Sequence, residues 1–158
     1  MYTRNNKDEE TDMKIVVING PTLNMLGIRE PAIYGEETYE DLCNKIKAHC
    51  EAKKISVEIY QSNHEGDLID KIQETFHKAD GIVINAAGYT HTSIAIADAL
   101  RAVSIPAVEV HISEPKQREP YRHFSFTEEV CIASIRGEGT AGYLKAIDLL
   151  ETTIKNMK

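Results

Sequence analysis

No stretch of this sequence approaches the roughly 18 uninterrupted apolar residues that a membrane-spanning helix requires. Its first twelve residues, MYTRNNKDEETD, also lack the apolar segment of a secretion signal. We therefore expect a cytoplasmic protein without a membrane partner. Positive charge is in the minority, because 18 Lys and Arg face 25 Asp and Glu and the net charge is -7. That balance argues against nucleic acid as a partner and leaves small anions open.

Cysteine and nucleotide-binding signatures are equally scarce. Cys43, Cys50 and Cys131 form an odd set without a Cys-x-x-Cys pair, which argues against a disulfide framework and against a thiolate zinc site. The Gly-x-x-x-x-Gly-Lys-Ser/Thr pattern of a phosphate-binding loop is missing. We interpret the three cysteines as small core residues.

The apolar content of the chain suits one globular domain. A length of 158 residues with 42% hydrophobic residues is enough for one compact core. Residues 1–12 carry six charges and no periodic pattern. They predict a tail, either disordered or added ahead of a native start at Met13, and leave residues 13–158 as a single domain.

Short β-branched runs alternate with helical patterns along this domain. The runs predict strands at residues 15–18, 56–59, 82–84, 107–110 and 130–135. Apolar residues at three- and four-residue steps predict helices around residues 39–50, 68–76, 94–103 and 143–154.

The strands show little polar alternation, which indicates a parallel sheet that is covered on both faces. We predict an α/β protein of the flavodoxin-like, doubly wound type, with a five-stranded parallel sheet and helices on both faces. Residues 112–129 contain Pro115 and Pro120, and these leave room for only a short helix in the fourth crossover.

Polar residues collect directly after the predicted strands. NGPTLNMLGIREPAIYGE follows the first strand, QSNHEG the second, NAAGYTHTS the third and HISEPKQREPYRHFS the fourth. Ligands of open α/β sheets bind outside the carboxyl ends of the strands, so these segments predict the site. Four histidines fall in or beside them: His64, His91, His111 and His123.

Cofactor sites fit these segments poorly. GEGTAG at 137–142 matches Gly-x-Gly-x-x-Gly, but no strand with the required acidic residue follows, so we interpret it as a tight strand-to-helix turn. NGPTLNML lacks the Ser, Thr and Gly content of a flavin phosphate loop.

Metal binding and nucleophilic catalysis are weak alternatives. The candidate ligands are His91, His111, His123, Glu109 and Glu114. No pair of these histidines has the helical i, i+4 spacing of many zinc sites. Ser93 and Ser113 lack the context of a nucleophile elbow.

Arg29 lies five residues before Tyr34 in the segment after the first strand. An unperturbed tyrosine has a pKa of about 10, so only about one part in a thousand is ionised at pH 7. A guanidinium at about 4 Å, in an effective dielectric near 20, lowers that pKa by up to about three units. Tyr34 is then a usable base. The alternative is a surface loop in which Arg29 pairs with Glu30 and Tyr34 packs on the domain edge.

Glu109 and His111 are two residues apart on the fourth strand, so their side chains emerge on one face. The carboxylate can orient and charge the imidazole as an acid. A satisfied histidine at a strand end is the alternative. Beyond it, the amides of Ile112 and Ser113, the Ser113 hydroxyl and Arg122 are expected to receive a carboxylate ligand.

Five segments in this order, NGPTLNMLGIREPAIYG, QSNHEGDLID, INAAGYTHTS, EVHIS and REPYRHFS, resemble the type II 3-dehydroquinate dehydratases. The resemblance runs from about Met13 to the C-terminus. It implies a flavodoxin-like catalytic domain, a dodecamer built from trimers, and no metal or organic cofactor. It also implies a lyase of the shikimate pathway, and so of aromatic amino acid biosynthesis, that converts 3-dehydroquinate to 3-dehydroshikimate through an enolate.

Carried onto this sequence, the resemblance makes Tyr34 the base that removes a proton beside the ketone, with Arg29 lowering its pKa. His111 donates a proton to the departing hydroxyl, and Glu109 orients it. Asp98 contributes to the site of a neighbouring subunit. The implied substrate-binding residues of the same subunit are Asn85, His91, Ile112, Ser113 and Arg122.

The chain departs from the family pattern at two positions. Thr22 stands where the family usually has an Asn that helps hold a water on the developing enolate. Ala87 replaces a common Gly and adds a methyl group close to the expected substrate. The alternative function is a flavodoxin-like module that binds a small anion without turnover.

Overall fold

Five parallel strands form one sheet in the order β2-β1-β3-β4-β5. The computed structural model describes residues 12–28, 30–34 and 36–158, apart from the side chains of Pro31 and Tyr34. The strands are β1 (Lys14–Asn19), β2 (Ser56–Gln61), β3 (Gly81–Asn85), β4 (Ala107–His111) and β5 (Ala133–Arg136). The helices are α1 (Pro31–Tyr34), α2 (Tyr39–Ala52), α3 (Glu65–Glu74), α4 (Ile94–Val103) and α5 (Ala141–Asn156). The predicted flavodoxin-like fold is confirmed.

Alternate residues of the central strands face opposite sides of the sheet. Ile15 and Val17 pack with α2 and α5, whereas Val16 and Ile18 pack with α3 and α4. Each fully buried Val or Ile stabilises the fold by about 1.5–3 kcal/mol relative to leaving it in water. The continuous apolar runs of the sequence therefore reflect two apolar layers, one on each face.

Side-chain caps begin two of the helices. The Thr38 hydroxyl accepts from the Asp41 amide at 3.1 Å, while the Asp41 carboxylate accepts from the Thr38 amide at 3.0 Å. The Ser93 hydroxyl caps α4 by accepting from the Ile96 amide at 3.0 Å. Among the described residues, no helix has both the length and the apolar character needed to cross a membrane.

The fifth strand starts later than the sequence predicts. We expected it at residues 130–135, but residues 128–130 form a 3-10 turn and β5 begins at Ala133. Val130 and Cys131 pack instead against the apolar layer beneath α3 and α4. Their apolar character reflects burial outside the sheet, which a pattern of hydrophobicity does not distinguish from a strand.

The fourth crossover contains 3-10 turns in place of the short helix for which the sequence leaves room. The turns are Pro115–Gln117, Pro120–Arg122 and Glu128–Val130. Pro115 and Pro120 each open a turn, where the missing amide hydrogen costs nothing. This crossover consequently lies along the carboxyl edge of the sheet, where ligands of such folds bind.

Gly20 brings the segments after β1 and β3 into contact at that edge. Its amide donates to the Asn85 carbonyl at 2.7 Å. A Cβ at Gly20 would lie 2.5 Å from the Ala86 carbonyl oxygen, so only glycine permits this approach. The two segments thereby form one wall of a pocket.

Candidate active site

A cavity of about 220 Å³ opens at the carboxyl edge of the sheet, between the segments that follow β1, β3 and β4. It includes six residues predicted from the sequence: Asn85, His91, His111, Ile112, Ser113 and Arg122. Residues that are 37 positions apart in the chain thus meet in one pocket, since Asn85 ends β3 and Arg122 lies in the fourth crossover.

Glu109 lies behind His111 and is fully buried. Glu109 Oε1 is 3.0 Å from His111 Nε2. The hydroxyls of Ser125 and Thr127 each donate to Oε1 at 2.5 Å, and the hydroxyl of Ser134 donates to Oε2 at 2.7 Å. We call these three hydroxyl residues the Glu109 cradle. Ser125 and Thr127 share Oε1 with the imidazole, and Ser134 satisfies Oε2.

His111 and the cradle together keep Glu109 ionised. Burial opposes ionisation of the carboxyl group, but the hydrogen bond and charge of His111 and the bonds from Ser125 and Ser134 outweigh it. Together they lower the pKa of Glu109 from its ordinary 4.5 to about 2. His111 therefore faces a full negative charge at neutral pH. Its Nε2 is held by Glu109, which leaves Nδ1 as the ring nitrogen for a ligand.

His91 lies beside His111 as a second imidazole, with the ring centroids 6.4 Å apart. Burial lowers the pKa of His91 below its ordinary value, and the hydrogen bond to the Phe124 carbonyl only partly offsets this. His91 Nδ1 is 2.7 Å from that carbonyl oxygen, which only accepts. The neutral ring therefore carries its hydrogen on Nδ1 and has Nε2 as an acceptor.

The GEGTAG turn predicted from the sequence supports the pocket. Gly137 donates to the Ser113 carbonyl at 3.0 Å and Gly139 donates to the Ile112 carbonyl at 3.1 Å. Both glycines have left-handed φ angles, 70° and 61°, which other residues rarely adopt. The turn thus fixes the peptide planes of Ile112 and Ser113 from outside the cavity.

Two arginines line the same cavity, one of which the sequence interpretation missed. Arg122 was predicted, and its Nε donates to Glu119 at 2.8 Å. Arg118 also lines the cavity and was not predicted. Its position as a basic residue in the polar segment after β4 could have indicated a role in the site. Ser125, Thr127 and Ser134 were missed as well, since Ser134 meets Glu109 through the register of β4 with β5 and the other two through the path of the crossover. Two guanidiniums suit a carboxylate ligand.

Two of the predicted residues that the structure describes, Glu109 and Asp98, do not line the cavity. Asp98 lies on α4, where its exposed carboxylate pairs with Arg101 at 3.3 Å. Arg29 and the side chain of Tyr34 lie outside the described residues. Within the described ranges, no group of three or more His, Cys, Asp or Glu side chains is arranged to hold a metal ion.

The two departures from the family pattern both occupy left-handed backbone. Thr22 has a φ of 65° and Ala87 a φ of 51°, and both residues line the cavity. Asn and Gly adopt this region readily, whereas a β-branched Thr does so at a cost of order 1–3 kcal/mol. The chain therefore carries backbone strain at the pocket that the usual residues would relieve.

A parallel sheet in this order, with its pocket at the carboxyl edge, defines a flavodoxin-like α/β protein equipped for acid–base chemistry on a small anion. Residues 13–151 match the model of the family described as dehydroquinase class II. The chain belongs to this family. The resemblance drawn from its five ordered segments is confirmed.

Individual relatives agree with that assignment. The chain is 54% identical over 145 residues to a 3-dehydroquinate dehydratase of Clostridium acetobutylicum, a match that covers 92% of this chain and 98% of that protein. It is 48% identical to a catabolic 3-dehydroquinase of Aspergillus clavatus, over 89% and 94% of the two chains. The crystal structure of a type II dehydroquinase from Butyrivibrio crossotus matches with a TM-score of 0.88 and 58% identity, over 89% and 98%.

Glu109 should make the protein sensitive to acid. Its pKa is lowered to about 2, from 4.5. Its ionisation therefore stabilises the fold above about pH 4.5, by roughly 3 kcal/mol, and this contribution is lost as pH falls through 2. Between pH 7 and pH 3, the free energy of unfolding of the wild type should fall by roughly 2 kcal/mol more than that of Glu109→Gln. Urea unfolding at one protein concentration measures both, and equal falls would contradict the ionised state of Glu109.

Proposed function

We propose that this chain is a lyase that dehydrates 3-dehydroquinate to 3-dehydroshikimate, with residues 13–158 as one catalytic domain. The observation that carries the proposal is the pairing of His111 with a buried, charged Glu109 beside a pocket that contains two arginines. Family membership supplies the substrate, because the named relatives are 3-dehydroquinate dehydratases.

Tyr34 performs the first proton transfer. Its phenolate takes a proton from the carbon beside the ketone, and the electron pair of that C–H bond moves to the ketone oxygen as an enolate. Arg29 favours the phenolate and stabilises the transition state. Thr22, which lines the cavity, stands where a water on the enolate oxygen would be held.

His111 performs the second transfer. The enolate re-forms the ketone, the new carbon–carbon double bond forms, and the bond to the departing hydroxyl breaks. The imidazolium gives its proton to that hydroxyl, which leaves as water. Glu109 holds Nε2 through this step, so that Nδ1 donates. The cycle closes when the proton on Tyr34 passes to His111 through solvent.

The remaining pocket residues bind the substrate. Its carboxylate suits the Ser113 hydroxyl and the two guanidiniums of the fourth crossover, Arg118 and Arg122. His91 offers an acceptor nitrogen to a substrate hydroxyl, and Asn85 offers its amide. The reaction moves only protons and water, so the proposal requires no metal or organic cofactor.

The position of α1 supports the role of Tyr34. Ala32 and Ile33 of this helix line a cleft that shares Ile112, Ser113 and Arg118 with the cavity. The helix that ends at Tyr34 is thus adjacent to the pocket. The dodecamer of trimers and the cytoplasmic location expected from the sequence are part of the proposal.

Incubation with 3-dehydroquinate tests the reaction directly, because the product contains a conjugated enone that absorbs in the ultraviolet. Tyr34→Phe and Arg29→Ala should each lower the rate, by about a hundredfold to ten-thousandfold for loss of the base, with binding largely retained. Tyr60→Phe, outside the cavity lining, is the matched control and should keep the wild-type rate. In Arg29→Ala the acidic limb of the pH–rate profile should move to higher pH.

A flat absorbance trace from folded wild-type protein would favour the anion-binding module instead. Wild-type turnover by Tyr34→Phe would remove Tyr34 from the mechanism without affecting the proposed reaction.

The proposed role of Asp98 makes activity depend on the oligomer. If it completes a neighbouring subunit's site, Asp98→Ala should lower kcat/KM by about ten- to a hundredfold, as for a lost charged hydrogen bond. Asp70→Ala, an equally exposed change on α3, should leave activity intact. Light scattering should find an oligomer at assay concentration. A fully active monomer would refute the shared site.

A further inference from the structure

A buried chain of hydrogen bonds leads from the cavity to the core of the protein. Asn85 Nδ2 donates to the Tyr143 hydroxyl at 2.9 Å, and that hydroxyl donates to Asn19 Oδ1 at 2.8 Å. Asn19 Nδ2 then donates to the Tyr39 hydroxyl at 3.4 Å. Asn19 and Tyr143 are fully buried, and Asn85 is 4% exposed where it lines the cavity.

The register of the sheet creates this arrangement. Asn19 and Asn85 are partners at the carboxyl ends of β1 and β3. Their side chains follow Val17 and Val83 onto the face covered by α5. Tyr143, on the first turn of α5, places its hydroxyl between the two amides. One hydroxyl thus forms hydrogen bonds with the last residues of two central strands.

The hydrogen bonds fix which way the Asn85 amide points. Its Oδ1 accepts from the Ala87 amide at 3.1 Å, so the oxygen and nitrogen are not interchangeable. One hydrogen of Nδ2 is engaged by Tyr143. The second hydrogen is the donor that Asn85 has for a ligand in the cavity. Burial raises the pKa of Tyr143 above its ordinary range, so the phenol stays neutral and both accepts and donates.

We infer that Tyr143 is a positioning residue for substrate binding, whose buried hydroxyl orients the Asn85 amide so that its second hydrogen meets an oxygen acceptor of the substrate. This inference rests on the proposed binding of 3-dehydroquinate by Asn85. A purely structural Tyr143 would satisfy the same two amides, and its loss would lower stability without a specific effect on substrate affinity.

Tyr143→Phe separates the two roles. It keeps the ring and removes the hydroxyl, so we expect KM for 3-dehydroquinate to rise about tenfold, the effect of one buried hydrogen bond, with kcat within about threefold of wild type. Tyr39→Phe is the matched control, because it removes the far end of the chain and does not touch Asn85. Its KM should stay within about twofold. A folded Tyr143→Phe with wild-type KM would overturn the inference.

A double-mutant cycle tests whether Tyr143 acts through Asn85. On an Asn85→Ala background, adding Tyr143→Phe should change KM by less than about twofold, because the amide to be positioned is gone. An equal rise in KM on both backgrounds would refute the inference. Turnover by the wild type reports on the proposed function separately, and only the ratios among variants report on Tyr143.

If Tyr143→Phe does not fold, the wild type supplies the test. With ¹⁵N-labelled asparagine, the Asn85 side-chain signal is assigned by its loss in Asn85→Ala. Addition of 3-dehydroquinate or its product should shift one of the two amide hydrogens and leave the other, held by Tyr143, nearly unchanged. Equal shifts of both hydrogens, or of neither, would contradict the inference.

Discussion

The structure around the site depends on one constraint: the buried, charged carboxylate of Glu109 needs hydrogen-bond partners on all sides. Removing such a charge from water costs several kcal/mol unless hydrogen bonds replace the solvent. The compensation comes from His111 on the same strand, Ser134 directly opposite on β5, and Ser125 and Thr127 in the crossover between them. The path of the fourth crossover and the register of β5 thereby bring hydroxyl donors to the Glu109 carboxylate.

Most strands of the sheet can be predicted from local sequence, and the errors in that prediction have physical causes. Strands β1 and β3 are buried on both faces, so their continuous apolar runs identify them without knowledge of the fold. The predicted start of β5 was wrong, because Val130 and Cys131 are partly buried against the apolar layer beneath α3 and α4 and lie outside the sheet. The crossover of 3-10 turns has no periodic signal from which to predict its path.

The contacts of the candidate site likewise fall into those that the sequence predicts and those that it does not. The i, i+2 spacing of Glu109 and His111 predicts a contact that the structure contains, because it depends only on the geometry of one strand. The contact between Asn85 and Tyr143 joins residues 58 positions apart and depends on how α5 packs, so no local pattern indicates it. The strained backbone at Thr22 is equally invisible in a sequence, although its residue type departs from the family pattern.

The turnover rate of Glu109→Gln is the most direct test of the claim that the buried carboxylate of Glu109 prepares His111 for catalysis. A neutral amide keeps much of the shape of the carboxylate but offers the His111 Nε2 no charged hydrogen bond. The maximal rate of 3-dehydroquinate dehydration should therefore fall in the variant. A folded variant with the wild-type maximal rate would contradict the account.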